Sequence, residues 1–234
     1  IEDADTLLLI GTNPRWEAPV LNARIRKRYL RGGFSAGLIG PELNLTYDVA
    51  HLGDGPSALD DLLAGKGDFA DVLKQANKPL IIIGSGALAR DDGAALLAKA
   101  RKLAEKTGAV SDEWNGFNVL QRAASRVGGL DLGFVPKNKS SLETAGIVAA
   151  ASGGKLNVVY LLGADEIDTQ ALGDAFVIYQ GHHGDAGAHR ADAILPGAAY
   201  TEKNATYVNT EGRVQRAALA TFPVGEAKED WAII

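Results

Sequence analysis

Short runs of leucine and β-branched residues alternate along this chain with segments of helical period. Thr6 to Ile10 is the first such run, unbroken and apolar, as expected for a strand covered on both faces. A Gly11-Thr12-Asn13-Pro14 turn follows, after which Leu21, Ile25 and Tyr29 recur every fourth residue. That spacing predicts a helix over about 19–31, stopped by Gly32-Gly33. Ala36 to Ile39 is the next strand, closing a βαβ unit at Gly40-Pro41. His51 to Pro56 reads as a loop into a helix over 57–64, with another helix from Asp68 to Gln75. Leu80 to Ile83 is a buried strand ending in Gly84-Ser85-Gly86. Leu96, Ala100, Leu103 and Thr107 mark the inward face of a long helix, with Asp91 and Asp92 in its first turn and Gly108 beyond its end. One more helix is expected near Asn118–Arg126.

A polar, proline-led stretch from Pro136 to Ser141 is the best linker. It divides the chain into an expected first lobe, 1–139, and a second, 140–234. The second opens on a small-residue helix and continues with strands Val158 to Leu162 and Phe176 to Tyr179. A turn-rich tail from His182 to Arg216 holds short strands at Ala193 to Leu195 and Thr206 to Val208. The alternation defines an α/β protein, with Rossmann-like, mostly parallel sheets covered by helices.

Composition narrows the chemistry. The 234 residues include no Cys, which removes disulfides, Cys-ligated zinc, iron–sulfur clusters and a thiolate nucleophile from this chain. The absence of Met and the opening Ile1-Glu2-Asp3 are read as a piece of a longer product. No apolar run reaches the roughly 20 residues of a membrane helix, so any membrane association is expected through a partner. The net charge of −5 argues against nucleic acid as a partner. Arg24, Arg26, Lys27, Arg28 and Arg31 do cluster. They are explained more simply as the basic end of an amphipathic helix, solvated or facing another subunit, than as a phosphate site.

Several constellations could carry chemistry. Gly84-Ser85-Gly86-Ala87-Leu88-Ala89 fits G-x-G-x-x-A, the pattern that sets a pyrophosphate on a helix N-terminus. Asp112 and Glu113 stand where its ribose-binding acid belongs, but only Ala109-Val110-Ser111 precede them, so an ordinary glycine turn is the better reading than NAD or FAD binding. His182, His183 and His189 cluster with Asp185 and offer imidazole and carboxylate ligands for zinc or iron. Their spacing matches no tight ligand pattern, and they are expected instead to fix a packed turn as buried, hydrogen-bonded groups. No G-x-S-x-G elbow or P-loop occurs. Leu7 to Asn13 and Val159 to Asp165 echo one another as strand, glycine, small residue and short polar residue. Two such loops at strand carboxyl ends would suit a nucleotide crevice, or be two ordinary strand-ending turns.

The carboxyl-terminal strings Ala191-Asp192-Ala193-Ile194-Leu195-Pro196, Tyr200-Thr201-Glu202-Lys203 and Asn209-Thr210-Glu211-Gly212-Arg213-Val214-Gln215 resemble a segment of the molybdopterin-dependent oxidoreductase superfamily, which includes formate dehydrogenases and DMSO reductase. Gly11-Thr12-Asn13-Pro14 resembles the superfamily's G-x-N-P loop, which approaches a pterin–guanine dinucleotide. Asn13-Pro14-Arg15, Glu17-Ala18-Pro19, Asn22 to Lys27, Leu45-Thr46-Tyr47, His51 to Asp54 and Tyr179 to Asp185 are similar, more finely, to the large iron–sulfur subunit family of respiratory complex I.

That resemblance implies a non-catalytic scaffold whose partners are other subunits of the peripheral arm. The arm lies on the cytoplasmic face of the bacterial inner membrane or the matrix side of the mitochondrial one. It also implies that the iron–sulfur clusters passing electrons from NADH and flavin towards quinone sit in an amino-terminal region of the parent, leaving this chain without a cofactor. Gly11, Thr12, Asn13, Gly163 and Asp165 would then line a vestigial crevice, because the Asp165-Glu166 pair repels a pyrophosphate. Two alternatives stay open. One is a fragment of a working molybdopterin enzyme. The other, suggested by Lys78 to Gly86, is a central domain like that of thiamine diphosphate enzymes.

Overall fold

The computed structural model describes residues 1–138 and 141–234. It resolves into two compact units, Ile1–Ala124 and Ser125–Ile234. In chain order the first contains β1 (Thr6–Ile10), α1 (Pro14–Glu17), α2 (Pro19–Tyr29), β2 (Ser35–Ile39), β3 (Ala50–Gly53), α3 (Pro56–Leu63), α4 (Asp68–Gln75), β4 (Pro79–Gly84), α5 (Ser85–Leu88), α6 (Gly93–Lys106) and β5 (Phe117–Leu120). The strands form one parallel sheet in the order β3-β2-β1-β4-β5. Every residue of β1 and β4 is buried, because these central strands carry helices on both faces. On one face Leu8, Ile10, Ile81 and Ile83 pack with Leu59, Leu73, Leu96 and Leu103. On the other, Leu7, Leu9, Leu80 and Ile82 pack with Ile25, Leu45 and Tyr47. Each fully buried side chain of this size contributes about 1.5–3 kcal/mol, so the alternation of adjacent β1 residues between two cores fixes the register of the strand.

Three expectations are corrected here. Phe117–Leu120 is a strand, not the start of a helix at Asn118–Arg126, because it pairs in parallel with Ile81 to Gly84 at the sheet edge. His51 lies in the opposite edge strand rather than in a loop, paired with Leu38. Asp92 is the residue preceding α6, so Asp91 and Asp92 stand before that helix instead of inside its first turn.

The second unit contains α7 (Arg126–Asp131), α8 (Thr144–Ser152), β6 (Val158–Leu162), β7 (Phe176–Gly181), α9 (Ala186–Arg190), β8 (Ala193–Pro196), β9 (Ala205–Val208), β10 (Val214–Ala217) and α10 (Asp230–Ile233). β6, β7 and β8 form a parallel sheet in chain order, while β9 and β10 pair as an antiparallel hairpin. Val159, Leu161, Val177 and Tyr179 pack with Ala151 and Leu172 on one face. α7 packs against β9, which assigns Ser125–Asn138 to this unit. Lys139 and Ser140, where the lobe boundary was expected, lie outside the described residues.

Candidate functional site: the strand-end loops

The first unit places its diverging connections between β1 and β4, the position where open α/β sheets bind ligands beyond strand carboxyl ends. Gly11 occupies it with φ +55°, and its N–H donates to the Ile39 carbonyl at 2.8 Å. A Cβ on Gly11 would lie 2.8 Å from the Ala87 Cβ, and one on Gly84 would lie 2.3 Å from the Gly11 carbonyl oxygen. The ends of β1 and β4 therefore meet backbone against backbone. Gly86, by contrast, has open space at its Cβ position. Asp112 and Glu113 are exposed and precede β5 instead of ending it, so the fingerprint geometry of a dinucleotide fold is not met.

Thr12 and Asn13 carry the chain into α1. Thr12 is buried, and its hydroxyl donates to Glu17 Oε1 at 3.1 Å, while the Asn13 backbone N–H donates to the same oxygen at 2.6 Å. Asn13 Oδ1 and Ser85 Oγ are buried without a hydrogen-bond partner. Nearby, a cleft of about 230 Å³ is lined by Ile10, Gly11, Gly40, Asp54, Gly86 and Arg90 among others. Ligand pockets usually run from roughly 300 to 1,000 Å³, so this one is small for a dinucleotide. Its guanidinium is already engaged, since Arg90 donates to Asp92 at 2.6 and 3.0 Å. That contact holds the Asp92 carboxyl below its ordinary pKa.

In the second unit Gly163, at φ +58°, ends β6, and its N–H donates to the Gln180 carbonyl at 2.8 Å. Asp165 Oδ2 accepts the Gly187 N–H at 3.1 Å, in the opening turn of α9. The Tyr179 hydroxyl has a raised pKa, first through burial and then through the charges of Asp165, Asp185 and Glu166. A cluster of carboxylates thus surrounds the carboxyl ends of β6 and β7. An incoming phosphate would add negative charge beside these carboxylates.

His182 and His183 stack edge to face at 4.4 Å between ring centroids. Together with Asp185 and His189 they are exposed, so the packed, buried turn expected from sequence is not what forms. The glycines around them leave the rings in solvent, while Gln180 takes the buried position. Among the described residues no group of three or more His, Cys, Asp or Glu side chains is arranged to hold a metal ion. The buried polar centre that sequence reasoning misses is Gln180. It is fully buried, accepts from the Tyr160 hydroxyl, and donates to Asp230 Oδ1 at 3.0 Å. Lys203 pairs with the other oxygen of Asp230. No local pattern announces this cluster, whose members come from separate elements. Glu17 is likewise without a sequence signal, since it stands four residues after Asn13 and the capping-box spacing is three.

The chain belongs to the molybdopterin oxidoreductase family, whose pattern matches residues 1–234. Within it, the chain is homologous over its whole length to one kind of respiratory subunit. It is 48% identical over 234 residues to the NADH-ubiquinone oxidoreductase 75 kDa subunit of Reclinomonas americana. It is 51% identical over 236 residues to the 78 kDa mitochondrial subunit of Candida albicans, and 47% identical over 234 residues to an NADH-quinone oxidoreductase subunit of Rickettsia bellii. Each alignment covers 100% of this chain but only 33%, 31% and 33% of those relatives, so the chain spans about a third of their length. Acetylene hydratase from Pelobacter acetylenicus shares the fold, with a TM-score of 0.51 at 11% identity over 99% of this chain and 46% of that one.

The family name implies a molybdopterin group, and the residues present do not fit one. The Thr12 hydroxyl and Asn13 N–H of the first strand-end loop are both held by Glu17. In the second unit the Asp165 carboxylate likewise holds a backbone donor, the Gly187 N–H of α9.

Proposed function

We propose that this chain is the non-catalytic scaffold portion of a complex I subunit, packed among other subunits of the peripheral arm. On this reading the strand-end residues Gly11, Thr12 and Asn13 of the first unit, and Gly163 and Asp165 of the second, are vestigial. The reading rests on homology along all 234 residues to NADH-ubiquinone and NADH-quinone oxidoreductase subunits. One relative, from Solanum tuberosum, is named an iron-sulfur protein and is 43% identical over 235 residues. With 0 Cys, this chain has no thiolate for such clusters, which would then belong elsewhere in the parent. Among the described residues no helix is long and apolar enough to cross a membrane. Attachment to the cytoplasmic or matrix side of a respiratory membrane would therefore run through neighbouring subunits.

The observation that carries the reading is that whole-length homology; the charges of Asp165, Asp185 and Glu166, which with burial raise the Tyr179 hydroxyl pKa, support it. The isolated chain is expected to purify without molybdenum, iron or flavin and to leave NADH unoxidised. Elemental analysis, the visible absorbance spectrum and an NADH assay check this. Stoichiometric metal or a flavin band would favour the working-enzyme alternative. Deleting the region from the parent subunit should lower the yield of assembled arm without changing the cluster spectra of the arm that does form.

A further inference from the structure

We infer that Glu17 is a built-in anion that takes up the donors of the first strand-end loop and leaves that loop unfit to hold a dinucleotide's phosphates. The inference rests on the vestigial reading of that loop and gives its physical cause. Two donors point at one carboxylate oxygen: the Thr12 hydroxyl at 3.1 Å and the Asn13 N–H at 2.6 Å. Hydrogen bonds to an ionised acceptor are roughly twice as strong as neutral ones. An external phosphate would have to displace a tethered carboxylate that is already present at high effective concentration. The competitor is local, because Glu17 closes α1 only four residues beyond Asn13.

The rest of the loop offers nothing in exchange. Asn13 Oδ1, the buried atom without a partner, is an acceptor, and an anion cannot satisfy it. The nearest guanidinium in the cleft, that of Arg90, is bound to Asp92. A Cβ on Gly84 would meet the Gly11 carbonyl oxygen and one on Gly11 would meet Ala87 of α5, so the ends of β1 and β4 and the start of α5 are packed with no room for a pyrophosphate between them. The loop thus keeps the glycine geometry of a nucleotide fold while its own chain supplies the negative charge.

The test follows the Asn13 amide by NMR in the full chain. In the wild type it should be protected from hydrogen exchange. It should also show no saturable shift with pyrophosphate or GDP up to about 10 mM, which sets any Kd above the millimolar range. In Glu17→Ala the amide should lose protection, and pyrophosphate should shift it saturably with an affinity at least about tenfold above the wild type's. An unprotected Asn13 amide in the wild type overturns the inference without recourse to any variant. Saturable GDP binding by the wild type overturns both the inference and the vestigial reading beneath it. A folded Glu17→Ala chain that ignores pyrophosphate, beside an inert wild type, overturns the inference alone.

Discussion

At the scale of single residues, the buried polar groups of the first unit show how much one side chain can hold. Asn22 is 5% exposed and bridges two segments, donating to the Leu45 carbonyl at 3.0 Å and accepting from the Tyr47 hydroxyl at 3.0 Å. Burial of the Tyr47 ring pushes its hydroxyl pKa well above the ordinary value, so the phenol stays a neutral donor. Asn22→Ala removes both partners and leaves the Leu45 carbonyl and the Tyr47 hydroxyl unsatisfied. The expected cost is about 2–4 kcal/mol of unfolding free energy, read as a lowered urea midpoint with an unchanged slope. Sequence alone gives no access to this pair, since Asn22 sits among helix-compatible polar residues and its partners lie more than twenty positions away. It also suggests burial for His182 and His183, which are solvent-exposed. Adjacent glycines permit either outcome, and the pattern of residues around them does not decide it. Gly11, Thr12 and Asn13 are legible as a loop, while the role of Glu17 needs the geometry of the turn.

At the scale of elements, legibility follows burial. The central strands β1 and β4 are apolar at nearly every position and are readable outright, and so is α2 from its fourfold spacing. The three strands that the pattern conceals, β3, β5 and β10, all lie at sheet edges. β3 is exposed or half-buried throughout, and three of four β5 residues are half-buried. Edge strands carry polar residues as protection against pairing with other chains, and that protection erases the pattern by which strands are recognised. The turn after β4 makes the same point through its glycines. Gly84→Ala would drive a Cβ into the Gly11 backbone, and overpacking of this kind costs typically 1–3 kcal/mol or more. Gly86→Ala meets nothing within 4 Å and lies inside α5, so it should be neutral or stabilising by about 0.5–1 kcal/mol. Thermal unfolding of the two variants side by side checks the contrast. Full stability in Gly86→Ala beside a destabilised Gly84→Ala would show that only Gly84 is required by the close approach of the β1 and β4 ends.

At the scale of the whole molecule, the two units are built to different standards. The second fastens its carboxyl-terminal segment through Gln180, Asp230 and Lys203. Burial pushes the Asp230 carboxyl up, but the bonds from Lys203 and Gln180 outweigh it, leaving the pKa below the ordinary aspartate value. A carboxylate lowered in the folded state adds stability that is full above its unfolded pKa and is lost as pH falls through the folded one. Asp230→Asn should therefore flatten part of the acid limb of a pH–stability curve below about pH 4. Asp192 and Glu229, lowered by backbone bonds from Val177 and Asn204, and Glu2 and Asp92, lowered by Arg24 and Arg90, contribute to the remainder. The larger difference lies in the cores. The sheet of the first unit buries hydrophobic clusters on both faces, as parallel sheets generally do. The sheet of the second has one such cluster, and Val158, Tyr160, Leu162 and Phe176 are 54%, 42%, 44% and 47% exposed. Residues 1–124 expressed alone should accordingly give one cooperative urea transition with coincident fluorescence and circular dichroism signals. Residues 125–234 alone should unfold over a broad range and bind a hydrophobic dye in buffer, because too little apolar surface is withdrawn from water to balance chain entropy. A sharp transition for 125–234 without dye binding would show that a single covered face suffices, and that the open face of its sheet contributes nothing to the instability.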